Sequence, residues 1–140
     1  MMTVRCYLAP SAIEGLGVFA AEPIARGDIV WRFDPEFDRA IERGAIEDAS
    51  EQTREFMERY TYDHPTDPDY VILDADEGRF MNHSGTPNLD FSYPDRGVAR
   101  CDIAADEELT CDYNAFNDGP VVFQPPRHRV TSAHPNGAGM

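Results

Sequence analysis

Arg79-Phe80-Met81-Asn82-His83-Ser84-Gly85-Thr86-Pro87-Asn88 and, further along, Glu108-Leu109-Thr110-Cys111-Asp112-Tyr113 decide how this chain is read. The first stretch sets two polar side chains, Asn82 and His83, side by side in a segment opened by an aromatic and closed by a Pro-Asn turn. That arrangement suits the holding of a small polar ligand. The second reads as a short strand ending in a tyrosine beside an acid. Together they point to a site as well as a fold.

A third stretch lies ahead of both. Ser11-Ala12-Ile13-Glu14-Gly15-Leu16-Gly17-Val18-Phe19-Ala20 holds a Gly-x-Gly element, and Ile24-Ala25-Arg26-Gly27-Asp28-Ile29-Val30 follows it. A lone Gly-x-Gly says little, but three segments in a fixed order say more. In that order they resemble the signature segments of SET domains, the protein-lysine methyltransferase family that uses S-adenosylmethionine. The resemblance runs from about Ser11 to Tyr113. It implies an α+β fold, mainly β: a β-clip-like arrangement of short curved sheets with a helical insertion and a C-terminal pseudoknot. General chain topology would not suggest such threading.

Read from the residues alone, the first part of the chain gives strands at Val4 to Leu8, Gly17 to Ala20 and Ile29 to Phe33, broken at Pro23 and Gly27. Asp34-Pro35 looks like an N-cap followed by proline at the first helical position, which predicts a helix from Pro35 to Arg43 stopped by Gly44. A second helix is predicted from Asp48 to Tyr60, with Ala49, Thr53, Phe56, Met57 and Tyr60 on one face, read as core-facing. His64 to Asp69 is turn-rich, and Tyr70 to Asp74 returns to strand. Leu89 to Tyr93 and Val98 to Ile103 read as a hairpin, and Leu109 to Tyr113 as a last strand. The domain is therefore expected over residues 1–123, with the helical insertion at 35–62, a post-SET-like segment at 114–123 and a flexible tail at 124–140.

Composition narrows the function. A chain of 140 residues accommodates one domain of ordinary size. It carries neither a long apolar run nor a basic leader followed by an apolar one, so a cytoplasmic protein with no membrane association is expected. Against 12 basic residues stand 26 acidic ones, a formal net charge of −14. That balance argues against nucleic acid, whose phosphates need a basic face, and favours a cationic partner. Cys6, Cys101 and Cys111 form no C-x-x-C pair and no even framework, so neither a disulfide scaffold nor a zinc site is expected.

The resemblance also assigns roles. It implies that Asn82, His83 and the backbone at Glu14, Leu16 and Gly17 hold S-adenosylmethionine, and that Tyr113 is the catalytic tyrosine. A phenol titrating near 10 is a poor general base at neutral pH, so orienting the amine is its plausible task. Many relatives carry a zinc-binding cysteine after the Asn-His-Ser triplet and more beyond the domain. Here Gly85 fills the first place and no cysteine follows Tyr113, which marks a minimal form with no metal. Cys111 stands where the family commonly has phenylalanine or tyrosine, and the smaller side chain suggests room for di- or trimethylation. Phe116 and Phe123, with Tyr62 and Tyr70 as further candidates, could wall the lysine channel, and a homodimer could complete it.

Two other readings stay beside the enzyme. One is an inactive SET-fold binding module with an acidic docking face for basic proteins. The other is a purely structural interaction domain. Asp102 and Glu108 as a hydrolytic pair find no support, because Asp106-Glu107-Glu108 reads as a solvated acidic turn. Cys111 as a nucleophile lacks an activating partner.

Overall fold

A computed structural model describes residues 1–115. It contains three small sheets. In the first, β1 (Cys6–Pro10), β2 (Leu16–Ala20), β10 (Glu108–Cys111) and β7 (Asn82–His83) lie in the order β1-β2-β10-β7. The second joins β3 (Ile29–Arg32), β9 (Arg96–Ala99) and β8 (Leu89–Asp90), in the order β3-β9-β8. The third sets β6 (Tyr70–Leu73) between β4 (Arg39–Glu42) and β5 (Thr61–Asp63). Helices α1 (Arg43–Glu47) and α2 (Glu51–Tyr60) connect β4 to β5. The fold is α+β and mainly β.

The central strand of the first sheet shows why the pattern works. β10 has neighbours on both edges, and its Leu109, Thr110 and Cys111 are all buried. A strand covered on both faces loses the in-out alternation of an edge strand. Leu109 and Val18, opposite one another across β10 and β2, are both fully buried. Each contributes roughly 1.5–3 kcal/mol of apolar burial. They belong to one core with Ala20, Ile24, Val30, Trp31, Met81, Leu89, Phe91, Ala99, Ile103 and Cys111, shared by the first two sheets. A register shift between Ile29 and Trp31 lets consecutive residues, Val30 and Trp31, both enter it.

Several expectations are corrected. Residues 35–43 do not form a helix. Asp38 N–H reaches Asp34 O at 2.8 Å, closing one turn, but Asp38 is then drawn inward, accepting from Asp34 N at 2.9 Å and Ala75 N at 3.1 Å. The chain leaves that turn extended, and Ala40 and Ile41 pair with Ile72 and Val71. Pairing with β6 outweighs the local Asp-Pro signal. Gly44 consequently stops nothing and lies inside α1. The helical part of the insertion is thus 43–60.

Helix α2 starts at Glu51 because Ser50 caps it, its side chain accepting from Thr53 N at 3.3 Å. None of its residues is buried, so the predicted face does not enter the core. Phe56 packs instead at a tilt on Tyr60, and Tyr60 meets Phe80 edge to face, with centroids 4.8 and 5.3 Å apart. The hairpin is shorter than predicted, pairing Leu89 with Ala99 and Asp90 with Val98, while Ile103 bridges to Ile24. Strand β10 ends at Cys111, and Tyr113 opens a 3-10 turn, Tyr113–Ala115. Among the described residues no helix is long and apolar enough to cross a membrane. Residues 116–140, which include the expected post-SET-like segment and tail, lie outside the described residues.

Candidate active site

Strand β10 brings the signature segments together. It pairs antiparallel with β2, which carries Leu16 and Gly17, and parallel with β7, setting Thr110 opposite Asn82 and Cys111 opposite His83. The Pro-Asn end of the first segment is pinned to the same strand. Asn88 Nδ2 donates to Glu108 O at 2.8 Å, and its Oδ1 accepts from Thr110 N at 2.9 Å, so a side chain does the work of a neighbouring strand.

Asn82 is buried, and its amide nitrogen faces Glu14 O and Leu16 O, each at 3.1 Å, and Glu108 Oε2 at 2.9 Å. One side chain therefore ties the loop before β2 to β7 and β10. Glu108 is half-buried and also accepts from Ser11 Oγ at 2.8 and 2.9 Å. This corrects its reading as part of a solvated turn. Its carboxylate lies over Gly17: a Cβ there would land on Glu108 Oε2, with Cδ at 2.8 Å and Ser11 Cβ at 3.1 Å. Only glycine lets the carboxylate in.

His83 and Tyr113 are coupled. Tyr113 N–H donates to His83 Nδ1 at 3.0 Å, so Nδ1 is an acceptor and the neutral ring carries its proton on Nε2. The two rings pack with centroids 5.2 Å apart. Asp112 caps the turn that follows, accepting from Asn114 N at 2.9 Å. The Tyr113 hydroxyl donates to Met81 O at 2.7 Å. Burial, with smaller contributions led by Cys111, pushes the phenol above its usual range. A protonated phenol whose O–H is committed to a carbonyl cannot serve as a general base; its oxygen can still orient a donor.

Tyr113 and Cys111 also line a cavity of about 390 Å³ with Trp31, Tyr62, Asp74, Met81, Phe91 and Tyr93. Asp74 is buried there, accepting from Trp31 Nε1 at 3.0 Å and Tyr62 Oη at 3.1 Å. Trp31 and Tyr62 meet edge to face, 5.6 Å between centroids. Phe91 takes its place because Gly97 is bare: a Cβ would come within 2.6 Å of the ring. Cys111 is fully enclosed, and burial pushes its thiol far above the usual range, so it is no nucleophile. Arg59, Tyr60, Arg79 and Asn114 complete another part of the wall.

The predicted site residues thus fall into two groups. Tyr113, Cys111 and Tyr62 line the cavity, whereas Glu14, Leu16, Gly17, Asn82 and His83 cluster beside it. The groups are joined through the His83–Tyr113 bond and through Arg59, whose Nη2 lies 3.4 Å from Glu14 Oε2. Tyr70 does not line the cavity. It sits at the start of β6 opposite Glu42 and packs on His64, 6.3 Å between centroids. Phe116 and Phe123 lie outside the described residues. Sequence reasoning missed Glu108, Asp74 and Trp31. For Asp74 one signal existed, a single acid closing the apolar run Tyr70 to Leu73.

Comparison with known proteins places this geometry. A family model described as the SET domain matches residues 15–114. A candidate histone-lysine N-methyltransferase 1 of Plasmodium falciparum (isolate 3D7) is 32% identical over 122 residues, covering 79% of this chain and 2% of that protein. Histone-lysine N-methyltransferase trr of Drosophila melanogaster is 32% identical over 117 residues, 76% of this chain and 5% of that protein. The chain therefore spans only a small fraction of the length of these relatives. Among solved structures, a candidate histone methyltransferase of Plasmodium falciparum superposes with a TM-score of 0.57 at 22% identity. That match covers 81% of this chain and 96% of the other, and it speaks to the fold.

Proposed function

Since this chain belongs to the SET-domain family, we propose that it transfers a methyl group from S-adenosylmethionine to the side-chain amine of a lysine in a basic protein substrate. The observation that carries the reading is the position of Tyr113, which touches both groups of residues. Its backbone N–H is held by His83 beside Asn82, and its ring lines the aromatic cavity.

The residues present fit the cofactor. S-adenosylmethionine carries a sulfonium, an amine and one carboxylate, and the cavity wall offers both a buried acid, Asp74, and a guanidinium, Arg79, whose Nε is sealed without an acceptor. Asn82, His83, the main chain from Glu14 to Gly17 and Arg79 would hold it. When bound it supplies the electrophilic methyl group on sulfur.

The chain's own residues supply the setting. Trp31, Tyr62, Phe91 and Tyr93 make a wall that disfavours the charged amine by desolvation, which helps a group titrating near 10.4 to present its lone pair. The same rings attract the methylated cation that forms. Tyr113 orients the amine through its oxygen, fixed by the bond to Met81 O. Asp74, buried in the wall, favours a cationic side chain passing along it. The chain's net charge of −14 acts in the same direction on a basic protein.

The test is transfer of labelled methyl from S-adenosylmethionine to a mixture of basic proteins, with mass spectrometry to locate the modified residue. Incorporation into lysine that disappears in Tyr113→Phe supports the reading. Cofactor binding without any transfer by the wild type would instead make the chain a binding module.

A further inference from the structure

The chain between β5 and β6, His64 to Asp69, borders the cavity, with His64 and Pro65 in its wall. Pro65 and Pro68 have no N–H to give. Two of the donors that remain end on one atom: Thr66 N–H and Asp67 N–H donate to His64 Nδ1 at 3.1 and 3.0 Å. Asp69 N–H turns to Asp67 Oδ1 at 3.0 Å, and His64 N–H to Tyr70 O at 3.2 Å. The imidazole therefore does for this loop what a capping side chain does for a helix.

Such a cap works in one protonation state only. Nδ1 accepts twice, so it carries a lone pair and the proton of the ring sits on Nε2. A second proton would turn Nδ1 into a donor facing two donors, and both bonds would be lost. Imidazole is the side chain whose ordinary titration falls between about pH 5 and 8. The ring can take that proton where it stands. It is half-buried, with Phe33 of the segment after β3 edge-on at 5.7 Å and Tyr70 of β6 at 6.3 Å, and aromatic rings tolerate a cation. The charged groups around it are Asp63 on β5, Asp67 and Asp69 in the loop, Arg43 from α1, Arg59 and Asp74 in the cavity wall and, beyond Phe33, Asp95 with Arg96. Arg43 is committed to Asp63 at 2.7 Å and to Pro68 O at 2.8 Å, so it holds the far side of the loop in either state of His64. The end that can let go is the imidazole's.

We propose that His64 is a pH-sensitive latch on this loop: neutral, it holds the loop in the cavity wall; protonated, it releases Thr66 and Asp67 and loosens that wall. The latch is independent of what the cavity binds. Its consequence for a lysine-bearing chain rests on the function proposed above.

Amide hydrogen exchange of the whole chain, read residue by residue by NMR, tests this with no ligand present. Thr66 and Asp67 should be protected at about pH 8, and that protection, relative to intrinsic exchange, should fall roughly tenfold or more by about pH 5, as loss of a hydrogen bond predicts. In His64→Asn, whose Oδ1 accepts where Nδ1 did and does not titrate, protection should persist at both values while Asp74 is left in place. His64→Leu should lack it throughout. Unchanged protection in the wild type overturns the latch. An equal loss in His64→Asn also overturns it, because the change then belongs to another group, and so does protection that survives in His64→Leu at about pH 8. Should the variants fail to fold, the nitrogen shifts of the wild-type imidazole decide: a protonated Nδ1 at about pH 8, or a ring still neutral at about pH 5, overturns the latch. Methyl transfer plays no part in these measurements, so their failure leaves the proposed function standing, and a failure of transfer leaves the latch standing.

Discussion

Replacing Asp74 by asparagine should change how stability depends on pH, by an amount the structure allows one to work out. Asp74 is buried, and that burial is the main reason its pKa rises from 3.8 to about 6. The Met1 amine and the bonds from Trp31 and Tyr62 pull it down, and Asp38 adds to the rise. A carboxyl whose folded pKa is raised favours the fold when protonated. Its contribution is full below the unfolded value and is lost as pH rises through about 6. Two units and a little correspond to about 3 kcal/mol over the whole range. Between about pH 8 and about pH 4.5, roughly 2 kcal/mol of that is recovered, because the unfolded carboxyl is then only beginning to protonate.

Asparagine cannot titrate, and because Trp31 and Tyr62 donate to different oxygens of Asp74, an amide in its place sets its NH2 group toward one of the two donors. The lost acceptor costs about 1–3 kcal/mol at every pH. Comparing the two proteins by urea denaturation at both pH values removes that constant and cancels the titrations of groups that do not interact with Asp74. The wild type should gain roughly 2 kcal/mol on Asp74→Asn as the solution is acidified. A difference independent of pH would show that Asp74 titrates like an exposed aspartate, and the account of the cavity's acidic wall would fail.

Other outcomes follow from the same geometry. Gly17→Ala pushes a methyl into the Glu108 carboxylate and should cost about 1–3 kcal/mol by denaturant unfolding; in a Glu108→Ala background, itself destabilised by loss of the Ser11 and Asn82 bonds, the same substitution should add much less, because the two sites are in contact. Tyr113→Phe removes the bond to Met81 O, so it should lose methyl transfer while giving up only about 1 kcal/mol of stability, read by labelled-methyl assay and thermal unfolding. Cys111→Phe fills space beside the cavity and should shift products toward fewer methyl groups, measured by mass spectrometry of the peptide. If transfer depends on an acidic surface, the KM for a basic peptide should rise steeply with added salt while cofactor affinity changes little.

How much was legible beforehand depended on whether a residue's partner was near in sequence. Asn82 and His83 stood out as a polar pair suited to a ligand, Tyr113 through the resemblance of its segment to the family's signature, and the fold does bring the three together. Glu108 was misread because its neighbours Asp106 and Glu107 are exposed, while its own partners, Ser11 and Asn82, are distant in the chain. Helix 35–43 failed for a related reason. The Asp-Pro signal was real and formed one turn, yet the competing partner, β6, begins only at Tyr70. The apolar face of α2 showed the converse: its periodicity fixed a helix correctly, but periodicity does not say which surface covers the face. For the Phe56, Tyr60 and Phe80 rings the answer was one another.

The parallel pairing of β7 with β10 has a consequence for how the protein comes into being. Parallel neighbours cannot be joined by a tight turn, so the stretch from Ser84 to Glu107, carrying β8 and β9, must loop out and return before Asn82 and Thr110 can meet. Such closure is non-local and therefore slow compared with forming a helix or a hairpin. Both signature segments and the turn bearing Tyr113 depend on that one event. On a ribosome the contacts among Trp31, Tyr62 and Asp74 can form early, but the juncture of His83 with Tyr113 must wait until β10 and the turn after it have emerged.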